Sequence, residues 1–178
     1  MSVMPIRTFG HPVLRERARP VESFDDNLRR LAEDMLETMY AAPGVGLAAN
    51  QIGMAIRLIV WDDGNGPGAM ANPVVSRLEG EQLDDEGCLS VPGLYYPTAR
   101  AFHVRAEGLD LFGTPVAHDA EGLLARIFQH EVDHIEGKLF LSRLSRENRA
   151  DALAAMRDRE LGIERNGRGL RPRPSRAT

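Results

Sequence analysis

The residues best suited to chemistry in this sequence lie in the segment IFQHEVDHIEG, residues 127–137. His130 and His134 are four positions apart, so a helix would place both imidazoles on one face, where they can bind a single ion of the zinc or iron type. Glu131 would project beside that ion and could transfer protons. The H-E-x-x-H spacing therefore predicts a metal site able to activate water.

A third metal ligand is not evident from this segment. In one group of H-E-x-x-H peptidases a further histidine follows the glycine by three residues, and that position is Phe140 here. Other candidates are charged residues near the C-terminus or single histidines: Glu147, Glu160, Glu164, His103 and His118. Cys88, the only cysteine, is the remaining candidate, in the Gly- and Pro-containing segment DDEGCLSVPG. Two histidines, a cysteine and a water would form an open catalytic site, although a single cysteine is more often a small buried hydrophobic residue.

A helix must hold the two histidines, and we predict that it runs from about Asp119 to Gly137. Glycine is a common residue just after a helix end, and Lys138 adds a favourable charge there. Four residues spaced by four, three and four define its buried face: Leu123, Ile127, His130 and His134. Because an unpaired buried imidazole is costly, this placement favours metal binding.

The remaining periodicity predicts two more helices. The first begins at Asp25 or Asp26 and ends at Pro43 and Gly44, and its apolar residues share one face: Leu28, Leu31, Met35 and Met39. The last extends from Ser145 to Leu161 with a thinner apolar stripe through Ala150, Leu153 and Leu161. We expect this last helix to pack on the outside of the protein.

Extended segments lie between these helices. AIRLIVWDD at 55–63 is typical of a strand, and shorter strands are expected around 73–78 and 103–106, followed by a hairpin bend at Gly113 and Pro115. We therefore predict an α+β fold, with small antiparallel or mixed sheets packed around a central H-E-x-x-H helix and with N- and C-terminal helices.

Composition indicates one globular domain. The chain has 178 residues, of which 43% are hydrophobic and 27% charged, and we predict a single catalytic domain over 1–161. The first residues do not have the pattern of a signal peptide, and the longest apolar cluster is too short to cross a bilayer, so we expect a cytoplasmic protein. Residues 162–178 carry five arginines and one glutamate, which predicts a basic, flexible tail. Such a tail either keeps the protein in solution or, as the weaker alternative, binds a phosphate-rich partner.

Three segments together resemble the motif set of the peptide deformylases. They are GVGLAANQ at 44–51, EGCLS at 86–90 and QHEVDH at 129–134, in that order. The resemblance implies removal of the formyl group from the N-terminal formyl-methionine of new polypeptides, with release of formate. It also implies that Cys88, His130 and His134 bind one divalent metal, usually Fe²⁺, with Zn²⁺, Ni²⁺ or Co²⁺ as substitutes.

The resemblance also implies roles around the metal. Metal-bound water attacks the formyl carbon, and Glu131 is the general acid and base. The Gln51 amide and the backbone N–H of Leu89 stabilise the oxyanion, while the backbone of Gly46 pairs with the substrate main chain.

An apolar pocket for the methionine side chain is predicted beside the metal. The residues expected to line it are Val45, Leu123 and Ile127, with Arg126 at the rim. A core role would explain Leu123 and Ile127 equally well.

The sequence departs from the family at one charged position. Many members have an arginine directly after the proline that matches Pro97, where it pairs with the glutamate matching Glu86, whereas this chain has Thr98. Arg100 or Arg105 could replace that arginine. Asp133 fits the H-E-x-D-H form of the family and either orients a ligand or faces solvent.

Two other functions remain open at this point. A peptidase of the wider H-E-x-x-H type would need a glutamate or histidine as third ligand, and a metal-binding or ribosome-associated protein would have no catalysis. As partners we expect formyl-methionyl nascent polypeptides and, through the C-terminal helix or basic tail, the ribosome. We expect no membrane contact and no direct nucleic-acid function.

Overall fold

The computed structural model describes residues 2–162, which contain three α-helices: α1 (Asp26–Ala41), α2 (Gly122–Ile135) and α3 (Arg146–Glu160). Helix α1 begins as predicted, because the Asp25 carboxylate accepts hydrogen bonds from the N–H groups of Asn27 and Leu28 at 3.0 and 3.1 Å. Three of its four predicted core residues are buried, and Leu31 is partly buried.

Seven strands form two antiparallel sheets in the described residues. They are β1 (Gly46–Ala48), β2 (Leu58–Asp62), β3 (Pro67–Glu79), β4 (Gln82–Cys88), β5 (Val91–Arg100), β6 (His103–Leu109) and β7 (Pro115–Glu121). One sheet has the order β1-β2-β3-β6-β7, and β4 and β5 form the other. All pairings between these strands are antiparallel, so the predicted α+β class is confirmed without a mixed sheet.

Strand β2 separates two parts of the core. Leu58 and Val60 pack with residues of α1, whereas Ile59 and Trp61 pack with residues of α2. Successive side chains of a strand point to opposite faces, so this apolar run supports a helix on each side. The sheet thereby fixes the position of α2, the helix that carries the two histidines.

The β4–β5 hairpin was not predicted from the sequence. The segment around Cys88 contains Gly and Pro and shows no strand pattern, but its residues pair in register from Gln82 with Arg100 to Gly87 with Tyr95. A third core cluster holds this hairpin against α3 and the turn before it: Cys88, Val91, Leu94, Tyr96, Phe140, Leu141, Leu144, Ala152 and Ala155. The cysteine is thus carried by an ordered strand.

Two details of the helix predictions were wrong. Helix α2 begins at Gly122 and not near Asp119, because Asp119 belongs to β7 and pairs with Arg105 of β6. Gly122 has a φ of 55°, a backbone conformation that permits the turn from strand to helix.

The predicted apolar stripe of α3 was also wrong. Ala150, Leu153 and Leu161 are exposed, and the helix packs through Ala152 and Ala155. Small alanine side chains allow a highly polar helix to approach the hairpin closely, and Met156 packs partly against the same core.

The sequence predicted no membrane-spanning segment and a basic C-terminal tail. None of the helices in residues 2–162 combines the length and the apolar composition that a bilayer crossing requires. The predicted tail at 162–178 lies outside the described residues except for Gly162.

Candidate metal centre and active site

Three donor atoms converge at the centre of the structure. Cys88 Sγ is 3.1 Å from His134 Nε2, which is 3.2 Å from His130 Nε2. All three atoms lie within 4.8 Å of one another, and both imidazoles are buried. Such separations are roughly those that one ion spans with bonds of about 2.0–2.3 Å to nitrogen and sulfur. The donors therefore fit a single divalent metal.

His130 is oriented for this site by Glu86. The Nδ1–H of His130 donates to Glu86 Oε1 at 2.6 Å, which leaves the Nε2 lone pair directed at the other donors. Burial alone would raise the pKa of the Glu86 carboxyl, but His130 and Arg100 hold that pKa well below its usual range. The carboxylate therefore stays ionised and selects the histidine tautomer that can bind a metal.

The partner of Glu86 is Arg100. Its Nε and Nη2 donate to the two Glu86 carboxylate oxygens at 3.0 and 2.6 Å, and Arg126 Nη1 adds a bond of 2.7 Å. Of the two arginines proposed to replace the family residue, Arg105 instead pairs with Glu107 and with an aspartate of β7 on the surface. Removing one member of a buried ion pair typically costs roughly 3–5 kcal/mol, so this pairing fixes β4 against β5.

Asp133 neither faces solvent nor contacts a donor atom directly. It accepts from Arg100 Nη1 at 2.6 Å and from Arg143 at 2.5 and 3.0 Å. These bonds extend the ionic network from His130 through Glu86 and Arg100 to the turn before α3. Asp133 therefore orients the histidine indirectly, by holding the arginine that holds Glu86.

His134 is fixed through its backbone. Asn50 Nδ2 donates to the His134 carbonyl at 2.5 Å, and both residues are completely buried. Burial lowers the pKa of His134 well below its ordinary value. The imidazole is therefore neutral at physiological pH, the form that binds metals.

Glu131 lies next to the donors with a free acceptor. It is buried, and its Oε2 has no hydrogen-bond partner among the described residues. Burial raises the pKa of Glu131 to about 7. A carboxyl with a pKa near neutrality can both accept and return a proton, which is what a general acid and base must do.

Gly46 leaves the space that Glu131 occupies. A Cβ built at Gly46 would collide with the Glu131 carboxylate and approach Ile127 Cγ2 to 3.0 Å. Strand β1 is the edge strand of its sheet, so one side of the Gly46 backbone has no neighbouring strand. Only glycine allows the strand and the carboxylate to come this close.

A groove of about 600 Å³ opens in front of the donors. Every residue predicted for substrate or oxyanion binding lines it: Gly46, Val45, Gln51, Leu89, Leu123, Arg126 and Ile127. Leu123 is 50% exposed, so it belongs to the groove wall and not to the buried stripe expected from its spacing. Arg126 is buried and bonded to Glu86, so its guanidinium is committed to the ionic network.

The other candidates for a third ligand lie away from the donors. His103 is exposed and faces Glu121, His118 packs edge-on against Trp61, and Glu147 and Glu160 are exposed on α3. Glu164 lies outside the described residues. Within residues 2–162, the group formed by Cys88 and the two histidines is the one cluster with metal-site spacing.

Several residues that contact the site or line its groove were not predicted from the sequence, among them Asn50, Ser90, Tyr95 and Ile6. Asn50 and Ser90 lie inside the motifs GVGLAANQ and EGCLS, so their position was a usable signal. Tyr95 of β5 lies opposite Gly87 of β4, where a Cβ would collide with the tyrosine ring. That contact depends on strand register, which the sequence did not reveal.

Comparison with known proteins gives consistent matches. The sequence model of the family described as Polypeptide deformylase matches residues 3–150. A peptide deformylase from Acidothermus cellulolyticus is 51% identical over 160 residues, covering 90% of this chain and 89% of that protein.

Solved structures show the same likeness. The peptide deformylase of Thermus thermophilus superposes with a TM-score of 0.84 at 47% identity, covering 90% of this chain and 96% of that one. A peptide deformylase from Synechococcus elongatus, solved in complex with actinonin, gives a TM-score of 0.82 at 38% identity, covering 90% and 89%.

Proposed function

Because the chain belongs to the peptide deformylase family, we propose that Cys88, His130 and His134 bind the metal ion of this metalloenzyme. The enzyme is a hydrolase that removes the N-formyl group from the N-terminal formyl-methionine of new polypeptides and releases formate. The observation that carries the proposed site is the convergence of the chain's only cysteine with both histidines of the H-E-x-x-H helix.

We propose Fe²⁺ as the resident metal, with Zn²⁺, Ni²⁺ or Co²⁺ as functional replacements. One thiolate and two imidazoles form a donor set that suits each of these ions. When bound, the metal supplies the Lewis acidity that makes water nucleophilic near neutral pH. The chain's own contribution is to hold the donors in place, through Glu86 at His130 and Asn50 at His134.

The groove is the proposed binding site for the formyl-methionyl end. Val45, Leu123 and Ile127 offer apolar surface for the methionine side chain. Gly46 belongs to β1, the edge strand of its sheet, and its backbone can form hydrogen bonds with the substrate main chain. These contacts would place the formyl carbon in front of the donors, with Arg126 behind the groove as part of its wall.

The Gln51 amide and the N–H of Leu89 are proposed to stabilise the oxyanion. Gln51 is 1% exposed, and its Nε2 lies 3.7 Å from Cys88 Sγ, so the amide faces the metal centre. Leu89 follows the cysteine directly. Donors held in place before the reaction stabilise developing charge without reorganising, and each is worth about 10²–10³ in rate in other enzymes.

Glu131 is proposed to move the proton. Its unpartnered Oε2 and its pKa of about 7 allow it to take a proton from the attacking water and to deliver that proton to the departing amine. Glu131 is 3% exposed, so bulk water has little access to this carboxyl.

We propose that residues 1–161 form one catalytic domain in the cytoplasm and that α3 or the tail contacts the ribosome. Helix α3 supports this proposal because it carries exposed arginines, which suit a phosphate-rich surface: Arg146, Arg149, Arg157 and Arg159. The match to the family model ends at residue 150, inside this helix.

Formate release tests the proposed function. Protein purified without oxygen should release one formate for each formyl-methionyl peptide consumed, and metal analysis of the same sample should identify Fe²⁺. An acetyl-methionyl peptide of the same sequence is the matched control and should be a poor substrate, because the site needs to admit only hydrogen beside the carbonyl. Release of free amino acids in place of formate would overturn the proposal in favour of a peptidase.

The iron form should lose activity in air faster than a nickel-substituted form. Oxygen oxidises ferrous iron, and the Cys88 thiolate is then oxidised as well, whereas Ni²⁺ is stable in air. The measurement is formate release against time in air for both forms at equal metal content. Equal rates of decay for the two metals would count against a thiolate-bound ferrous site.

A further inference from the structure

Ser90 is a completely buried polar residue beside the metal centre. It lies in the turn between β4 and β5, two residues after Cys88, and has 0% exposure. Its N–H donates to Cys88 Sγ at 3.4 Å, and its carbonyl accepts the N–H of Phe9 at 2.8 Å. These backbone contacts fix the serine, and they leave its hydroxyl pointing at another residue of the site.

That residue is Gln51. Its Nε2 donates to Ser90 Oγ at 3.2 Å, and its Oε1 accepts the N–H of Ala48 at 2.8 Å. A carboxamide has nearly the same shape when its oxygen and nitrogen are exchanged, so its hydrogen-bond partners decide which way it faces. The Ala48 N–H can only donate and therefore requires the oxygen, while the Ser90 hydroxyl accepts from the nitrogen.

The direction of the second N–H follows from these two bonds. With one amide hydrogen directed at Ser90 Oγ, the other is directed toward Cys88 Sγ, 3.7 Å from Nε2. A distance of 3.7 Å to sulfur is a weak contact, so this hydrogen can be given to a substrate oxygen at little cost. The strong bond of the amide nitrogen within the protein is thus the one to serine.

We propose that Ser90 is a positioning residue for deformylation, whose hydroxyl holds the Gln51 amide so that one N–H faces the substrate oxygen. The inference rests on the proposed role of Gln51 in stabilising the oxyanion. Ser90 itself contacts no reacting atom, and its effect is transmitted entirely through Gln51. A serine needed only to fill space would not have its hydroxyl aligned with the amide nitrogen.

A double-mutant cycle tests this transmission. Ser90→Ala should lower kcat about tenfold with little change in KM. Without the serine hydroxyl the Gln51 amide is less well oriented, and its hydrogen bond to the oxyanion matters mainly in the transition state. In a Gln51→Ala background, Ser90→Ala should produce no further loss, since residues that act through one another are not additive. Ser90→Thr, which keeps the hydroxyl, should retain more activity than Ser90→Ala.

Controls separate this role from a general structural one. Thr38→Val removes another buried hydroxyl, one that accepts the Met4 N–H at 2.9 Å, and should leave kcat unchanged. Metal content and the absorption spectrum of Co²⁺-substituted Ser90→Ala should match those of the unmodified protein, because no ligand is altered.

Different failures point to different errors. If Gln51→Ala itself leaves kcat unchanged, the proposed role of Gln51 is wrong, and this inference is overturned with it. If Gln51→Ala lowers kcat but Ser90→Ala does not, or if the two losses multiply in the double variant, only the role of Ser90 is wrong. A changed Co²⁺ spectrum in Ser90→Ala would also overturn the inference, because the serine would then be acting on the metal ligand.

Discussion

Replacing Glu131 with glutamine is expected to lower kcat for a formyl-methionyl peptide about a thousandfold. The amide has the shape of the carboxyl but cannot accept and return a proton, so the attacking water and the departing amine lose their proton carrier. Glu131 is buried beside the donors but makes no bond to them, and metal content should therefore be unchanged. The result would be an enzyme that holds its metal and binds peptide but turns over slowly.

Glu136→Gln is the matched control for this experiment. Glu136 lies at the end of the same helix and pairs with Arg57 and Arg17 away from the groove. The same exchange of carboxyl for amide there should change kcat by no more than about twofold. If Glu131→Gln kept more than about a tenth of the original kcat at full metal content, another group would have to carry the proton.

The second large effect is expected from Cys88→Ala. Loss of the thiolate removes one of the three proposed protein ligands, so the purified variant should contain little metal, and its kcat/KM should fall about a thousandfold or more. Metal analysis and formate release measure the two effects. The small change in volume leaves the hairpin core intact, and circular dichroism should confirm that the variant is folded.

Glu160→Ala separates the two metal-dependent interpretations of the H-E-x-x-H segment. A peptidase of the wider type takes its third ligand from a downstream glutamate, and Glu160 is one of those weighed from the sequence. The structure places it exposed on α3, so its removal should affect neither metal content nor activity. Metal that survived Cys88→Ala and disappeared in Glu160→Ala would contradict the proposed ligand set.

The helices, the motifs and three of the strands (β2, β3 and β6) could be predicted from the sequence. The i, i+4 spacing of His130 and His134 fixes their common face in any α-helix, and the capping Asp25 marks the start of α1. The three motifs also contain several residues that line the groove, among them Gly46, Gln51 and Leu89. These features depend on local geometry, which a single sequence displays directly.

The hairpin that carries Cys88 could not be predicted in the same way. Its residues 84–87 are polar or glycine, so the alternation of a half-buried strand is hidden. Glu86 and Cys88 point inward because Arg100 neutralises the glutamate and the core cluster covers the cysteine. The burial of Glu86 depends on Arg100, fourteen positions away, and no local sequence pattern indicates this pairing.

The sequence by itself determined the reaction chemistry: two imidazoles and a carboxylate on one helix, one cysteine, and motifs that identify the family. Tertiary structure alone decided that Cys88, and not a glutamate or another histidine, meets the two histidines, which tautomer His130 adopts and which way Gln51 faces. Each of these depends on contacts between residues 39 to 46 positions apart. Side-chain orientation in a buried site is set by such distant partners, because only they can satisfy its hydrogen bonds once water is excluded.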